Sequence, residues 1–186
     1  MNTRIIGLTG KMRAGKDTVA DHLVSFGYQR HSFAGAIKDE ALIQNPAVVV
    51  DGHSVRLARL VEHVGWDAAK RSPEVRRVLQ DVGRAGRNIR PTFWVDQVER
   101  SLREPGHHVV TDVRMPNEAH MVLSHGGVIL RVARPGHVDE VSHGDDITET
   151  ALDGYDFVTL WNTGTVDDLH EAVNVTLSRL KDHPVT

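Results

Sequence analysis

Gly10-Lys11-Met12-Arg13-Ala14-Gly15-Lys16-Asp17-Thr18 is the stretch on which the reading of this chain turns. It fits the phosphate-loop pattern G-x-x-x-x-G-K, with Asp17 in the place usually held by serine or threonine. Its flanks suit the pattern. Arg4–Thr9 reads as a buried strand, and Lys16–Phe26 as an amphipathic helix with Val19, Leu23 and Val24 facing inward. Glycines at both ends of the loop let the backbone of Gly10, Lys11, Ala14 and Gly15 wrap around phosphate oxygens, and the helix N-terminus aims free N–H groups at them. Lys16 is expected to reach the β- and γ-phosphates of ATP. Asp17 either takes a Mg²⁺ ion, directly or through water, or simply favours the helix dipole. Thr18 offers a hydroxyl one place later. Arg13 is placed to touch the transferring phosphoryl group or the acceptor, or to face solvent.

Working outward, Tyr28–Phe33 reads as a second strand. A helical, less regular middle follows from Gly35 to about Arg103, with Leu57, Leu60, Val61 and Val64 at helical spacing. Pro73 is placed to open a helix over Glu74–Val82, and Thr92 to cap one carrying Val95, Val98 and Leu102. The strand signal returns at His107–Thr111, Val128–Val132 and Phe157–Leu160, and a helix is expected over Val166–Leu180. Strands alternating with helices predict an α/β fold, a parallel sheet wrapped by helices in three α/β/α layers. Ala133–Gly154, rich in Gly, His and Asp, reads as a long excursion of the kind that is often functional.

The 186 residues suit one domain, and 40% hydrophobic with 25% charged residues is ordinary for a globular chain. No apolar run approaches the roughly 20 residues of a membrane span. Ile5–Leu8 runs straight into the glycine loop and reads as a strand, not a secretory signal. Without cysteine, disulfides and thiolate metal sites are excluded. A cytoplasmic location is expected. A formal net charge of -3 provides no global field for nucleic acid, which is not an expected partner. Arg71, Arg76, Arg77, Arg84, Arg87 and Arg90 nevertheless crowd one stretch, a pattern suited to a small anion. The 12 histidines include no H-E-x-x-H pair; His137, His143, Asp145 and Asp146 read as solvated residues before a weak chelating group.

Val109-Val110-Thr111 ends at Asp112, where α/β sheets place ligands. Val113 and Arg114 follow, not the catalytic Glu of a motor ATPase or the glycine of a switch. That favours a small-molecule kinase. At this point the chain resembles the bacteriophage deoxynucleoside monophosphate kinases, a branch of the P-loop nucleotide kinases. The resemblance runs in order over nearly the whole chain. It rests on Gly15-Lys16-Asp17-Thr18, Ser32-Phe33-Ala34 with Lys38, Leu79-Gln80 with Gly83 and Arg87, and Phe93-Trp94-Val95. Asp112-Val113-Arg114-Met115-Pro116-Asn117-Glu118-Ala119 is its most specific string. Gly126-Gly127, Arg131-Val132-Ala133-Arg134-Pro135 and Asn162-Thr163-Gly164-Thr165 with Leu169 complete it. Two departures stand out: Gly35 where the family has aspartate, and a stretched His143 to Glu149 segment.

The resemblance implies a five-stranded parallel sheet, ATP and Mg²⁺ as cofactors, and a deoxynucleoside monophosphate as partner. It implies a single kinase domain with a core at about 1–34, 104–133 and 155–182, a helical acceptor-binding region at about 35–103 and a lid at about 134–154. It also implies a homodimer and places Asn162, Gly164 and Thr165 near the adenine of ATP. A nucleoside monophosphate carries about two negative charges near neutral pH, its second pKa being about 6. Arginines that bring two anions together therefore matter more than a general base. Arg84 and Arg87 lie one helical turn apart and can face one anion. Arg87 is preferred for the acceptor phosphate, with Arg84 assisting. Trp94 either stacks on a base or fills the core. Asp112 holds Mg²⁺ through water or binds the acceptor; Arg114 and Arg134 bind phosphate; Arg131 is either a lid residue or structural. Asn117 and Glu118 are acceptor ligands, or a turn and helix start after Pro116. Two other functions remain open: a kinase acting on a modified base in DNA, and a nucleotide-binding regulator without transfer activity.

Overall fold

The computed structural model describes residues 3–136 and 151–182. In chain order the first half runs β1 (Ile5–Thr9), α1 (Lys16–Ser25), β2 (Tyr28–His31), α2 (Phe33–Gln44), β3 (Ala47–Val50), β4 (His53–Arg56) and α3 (Leu57–Ala69). The second runs α4 (Pro73–Ile89), α5 (Phe93–Ser101), β5 (His107–Val110), α6 (Pro116–Ser124), β6 (Val128–Ala133), β7 (Val158–Trp161) and α7 (Val166–Asp182). Five strands form a parallel sheet in the order β2-β5-β1-β6-β7, as expected. β1 is central and buried along its length, which is why it reads Ile-Ile-Gly-Leu-Thr without alternation.

The chain divides into two compact units: Met1–Ser32 with Glu99–Thr186, and Phe33–Val98. In the first, Ile6, Leu8 and Val109 of the sheet pack with Val19 and Leu23 of α1 and Leu169 and Val173 of α7. Val24, expected inward, is 42% exposed; Ala20 takes the buried place beside Leu23. His108 of β5 is fully buried, its Nε2 2.9 Å from the Glu104 carbonyl and its Nδ1 3.0 Å from His31 Nε2. Burial first, then the neighbouring His108, lowers the pKa of His31.

The second unit departs most from expectation. The middle of the chain was expected to be helical, yet β3 and β4 form an antiparallel hairpin. Asp51 and Gly52 turn it with φ of 51° and 78°, the doubly left-handed turn that Asp-Gly supplies. Glu74 Oε2 accepts a 2.6 Å bond from the Val49 amide and ties the hairpin to α4. α4 runs on to Ile89, well past the expected Val82, and β2 ends at His31 because Phe33 already opens α2. Gly65, at φ 74° and ψ 166°, interrupts α3. The expected features at His137, His143, Asp145, Asp146 and Glu149 lie outside the described residues, as does most of the lid stretch.

Trp94 sits in the core of this unit with Val48, Leu57, Val75 and Val82. Its indole Nε1–H donates to the Gly83 carbonyl at 2.9 Å, and only 5% of the residue is exposed. The base-stacking alternative is corrected: the ring is a packing element. Gly86 makes room for it, since a Cβ there would lie 2.6 Å from the indole. Gly86→Ala should therefore destabilise the protein by about 1–3 kcal/mol of overpacking, partly offset by about 1 kcal/mol of helix propensity. A lower urea midpoint checks this; an unchanged or raised midpoint would show that the ring can move aside.

Candidate functional site

The phosphate loop leaves β1 at Thr9 and turns at Gly10, whose φ is +127°. A Cβ on Gly10 would lie 2.1 Å from the Val132 carbonyl oxygen, so the loop passes flush against β6 and only glycine fits. Arg13 also adopts a left-handed conformation, φ 60°, and Gly15 caps α1 at φ 109°. Left-handed residues interspersed in a tight loop turn successive amides toward one centre, an anion cradle, and the α1 dipole adds to it. Lys16 folds back over the loop; its Nζ donates to the carbonyls of Gly10 at 2.5 Å and Lys11 at 2.8 Å.

The loop opens onto a cavity of about 280 Å³ whose wall includes Lys11, Arg114, Arg131 and Arg134, with Asp153 as an acidic member. Each cation arrives differently. Arg131 stands in β6 beside the loop, and its Nη2 donates to the carbonyls of Leu152 at 2.5 Å and Tyr155 at 3.0 Å. It thus holds the turn after residue 150 as well as lending charge to the wall. Arg134 is exposed just beyond β6. Arg114 follows β5 on a loop pinned to the sheet by Val113 N–H donating to the Leu8 carbonyl at 3.0 Å.

Glu118 organises that loop from below. One carboxylate oxygen accepts from the amides of Arg114 at 2.8 Å and Met115 at 3.0 Å. The helix-start alternative therefore describes what one oxygen of Glu118 does here. Asn117 likewise accepts from the Glu118 amide at 3.1 Å. Burial pushes the Glu118 carboxyl up to about 7, and the charge of half-buried Asp112 pushes the same way; the two amides and the Arg114 charge oppose it.

Asp17 is 85% exposed and paired with Arg30 of β2, which also holds Asp21 at 2.7 Å. The sequence carried no signal for this pairing. Asn162 lies under the loop, its Nδ2 donating to the Ala14 carbonyl at 2.9 Å. Thr165 caps α7: its amide and hydroxyl both donate to Asp168 at 2.8 Å and hold that carboxyl below its usual pKa. Gly164 is exposed beside this cap, as is Trp161, which the sequence reading passed over. On the second unit, Lys38 Nζ lies 5.6 Å from the Trp66 ring. Arg84 lies 3.8 Å from Asp81, and Arg87 is exposed. Among the described residues no group of three or more His, Asp or Glu side chains could hold a metal ion. No helix among them is long and apolar enough to cross a membrane.

No family model matches the chain. It is 26% identical over 192 residues to a protein of Acanthamoeba polyphaga mimivirus named "Putative deoxynucleotide monophosphate kinase", covering 91% of this chain and 93% of that one. An uncharacterized protein of Ictalurid herpesvirus 1 is 29% identical over 98% of this chain and 71% of its own length. Among solved structures, the dephospho-CoA kinase from Campylobacter jejuni superposes with a TM-score of 0.52 at 16% identity, covering 97% and 98% of the two chains. The chain shares the fold of that dephospho-CoA kinase over nearly its whole length.

The raised pKa of Glu118 makes a prediction. The folded protein holds this proton more tightly than the unfolded chain, whose value is 4.5, so its stabilising effect is full below about pH 4.5 and is lost as pH rises through about 7. Denaturation midpoints across that window should fall more for the wild type than for Glu118→Gln. Parallel curves for the two proteins would show that Glu118 ionises normally.

Proposed function

We propose that the protein transfers the γ-phosphoryl group of ATP to the phosphate of a deoxynucleoside monophosphate, giving ADP and the diphosphate. The observation that carries this reading is the phosphate loop opening onto a cavity walled by Arg114, Arg131 and Arg134. A triphosphate tail on the loop amides would point into a field of fixed cations, the arrangement that in-line transfer between two anions requires. A regulator that only binds nucleotide has no need of that second set of cations. The likeness to the mimivirus protein supports the choice of acceptor.

In this mechanism the loop amides hold the β- and γ-phosphates. Lys16 exchanges the Gly10 and Lys11 carbonyls for phosphate oxygens and follows charge as it moves to the bridging oxygen. The attacking oxygen belongs to an acceptor phosphate already largely deprotonated, so the residues orient it and no strong base is needed. Arg114 and Arg134 would neutralise the transferring group, with Arg13 at the loop's edge. Arg87, assisted by Arg84 and Lys38, is proposed for the acceptor phosphate. Asp112 would hold Mg²⁺ through water, with Thr18 of the phosphate loop offering a hydroxyl; Asp17 is tied to Arg30. One or two carboxylates suffice, because Mg²⁺ takes its other ligands from substrate phosphates and water. When bound it neutralises charge on the β- and γ-oxygens.

Release of ADP with a panel of dTMP, dGMP, dCMP, dAMP and 5-hydroxymethyl pyrimidine nucleotides tests the function directly. Turnover with one or more of these is expected, and none with any would remove the proposal. Lys16→Ala should lower kcat by about a hundredfold or more with the fold retained; wild-type turnover would contradict its role. Arg87→Ala should mainly raise the acceptor KM, leaving that for ATP near the wild-type value. Unchanged acceptor kinetics would assign the phosphate to another arginine.

A further inference from the structure

We propose that Arg30 is a positioning residue of the phosphate loop: it draws the Asp17 carboxylate away from the start of α1, so that the loop receives a phosphate tail in place of its own aspartate. This rests on the reading that the loop holds a nucleotide, and it names what keeps the loop open to one.

A phosphate loop attracts anions, yet the residue after Lys16 is itself an anion. Asp17 is the second residue of α1, and the Gly15 N-cap offers no side chain to the free N–H groups of the first turn. Those groups and the helix dipole are what a phosphate oxygen uses. A first-turn carboxylate is drawn to the same positive end, and its charge repels phosphates that approach it. Left alone, Asp17 competes with the ligand in both ways.

Arg30 answers that competition from β2, the edge strand beside α1. Its Nη2 donates to Asp17 Oδ1, and its Nη1 donates to Asp21 Oδ1 at 2.7 Å. Asp17 and Asp21 lie one turn apart on one face of α1, where like charges repel. The planar fork of a guanidinium serves both carboxylates at once, which the point charge of a lysine does not. The Asp17 side chain is 85% exposed, and pairs so open to water contribute little to stability. The effect of this one lies in where it puts a charge. Neither Arg30 nor Asp17 lines the cavity onto which the loop opens. Arg30 therefore acts on a bound phosphate through Asp17 and not by touching it.

The test measures binding of ADP and of inorganic tripolyphosphate to the intact protein by calorimetry, in EDTA so that no metal offers Asp17 another partner. Arg30→Gln should weaken both ligands about tenfold at low ionic strength, and less at high salt. Adding Asp17→Asn to Arg30→Gln should restore affinity to near the wild-type value, a rescue that a merely structural role would not give. The urea midpoint of Arg30→Gln should stay close to that of the wild type. Arg30→Lys, the milder change, should lose affinity by a smaller factor and be rescued in the same way by Asp17→Asn; it decides the matter if Arg30→Gln does not fold. Wild-type affinity in both Arg30 variants overturns the proposal. So does a double variant as weak as its Arg30 parent, since the arginine would then attract phosphate on its own account. In both cases the wild type still binds, and the phosphate-loop reading stands. If neither ligand binds the wild type, that reading falls, and this inference with it.

Discussion

In the first unit the phosphate loop lies so close to β6 that a Cβ on Gly10 would fall 2.1 Å from the Val132 carbonyl oxygen, leaving no space for a methyl group. Several other features depend on that contact. It holds the loop against an interior strand of the sheet. It also sets the loop beside the strand that carries Arg131 and leads to Arg134. Asn162 supports the loop from β7's end through the Ala14 carbonyl. The anion cradle is thus held by the close approach of its backbone to β6 and by the Asn162 side chain just after β7. Left-handed Arg13 can persist in so confined a loop because the surroundings determine its conformation.

The cations divide by what already occupies them. Arg30 binds Asp17 and Asp21, and Arg77 lies 3.3 Å from Glu74; such exposed pairs contribute little to stability and mainly orient side chains. Arg131 serves both wall and scaffold, since it takes up the carbonyls of a turn while facing the cavity. The Arg114 backbone is held by a carboxylate that accepts from its amide. A site for two anions is built here as much by acceptors behind the arginines as by the arginines themselves.

The strand, loop and helix over residues 5–25 were legible because their signals are local: a buried apolar run, glycines at fixed spacing, an amphipathic helix. The parallel sheet was legible from alternation. The hairpin at Val48–Val55 carried its own signal in Asp51-Gly52, but the strong helical spacing of Leu57, Leu60 and Val61 drew the expectation across it. Trp94 was undecidable from sequence, because the space it fills is made by Gly86, and its N–H is taken up by the Gly83 carbonyl, both on a different helix. Glu118 was ambiguous for a similar reason. A carboxylate three residues into a helix can cap it or bind a ligand, and only the position of the Arg114 and Met115 amides decides. Trp161 went unnoticed because an aromatic at a strand end looks like core until its neighbour Leu160 is seen to take the buried face.

The strand order has a consequence for biosynthesis. β1 leaves the ribosome first among the strands, yet Ile6 pairs with Val109 on one side and Val128 on the other. A fully apolar strand must therefore wait, both edges bare, while the whole second unit is translated. The hairpin and helices of that unit make mostly local contacts and can form in the interval, but they offer β1 no partner in the sheet. The nascent chain is most prone to aggregation in that interval. Ribosome pausing or chaperone engagement would matter most before β5 and β6 emerge.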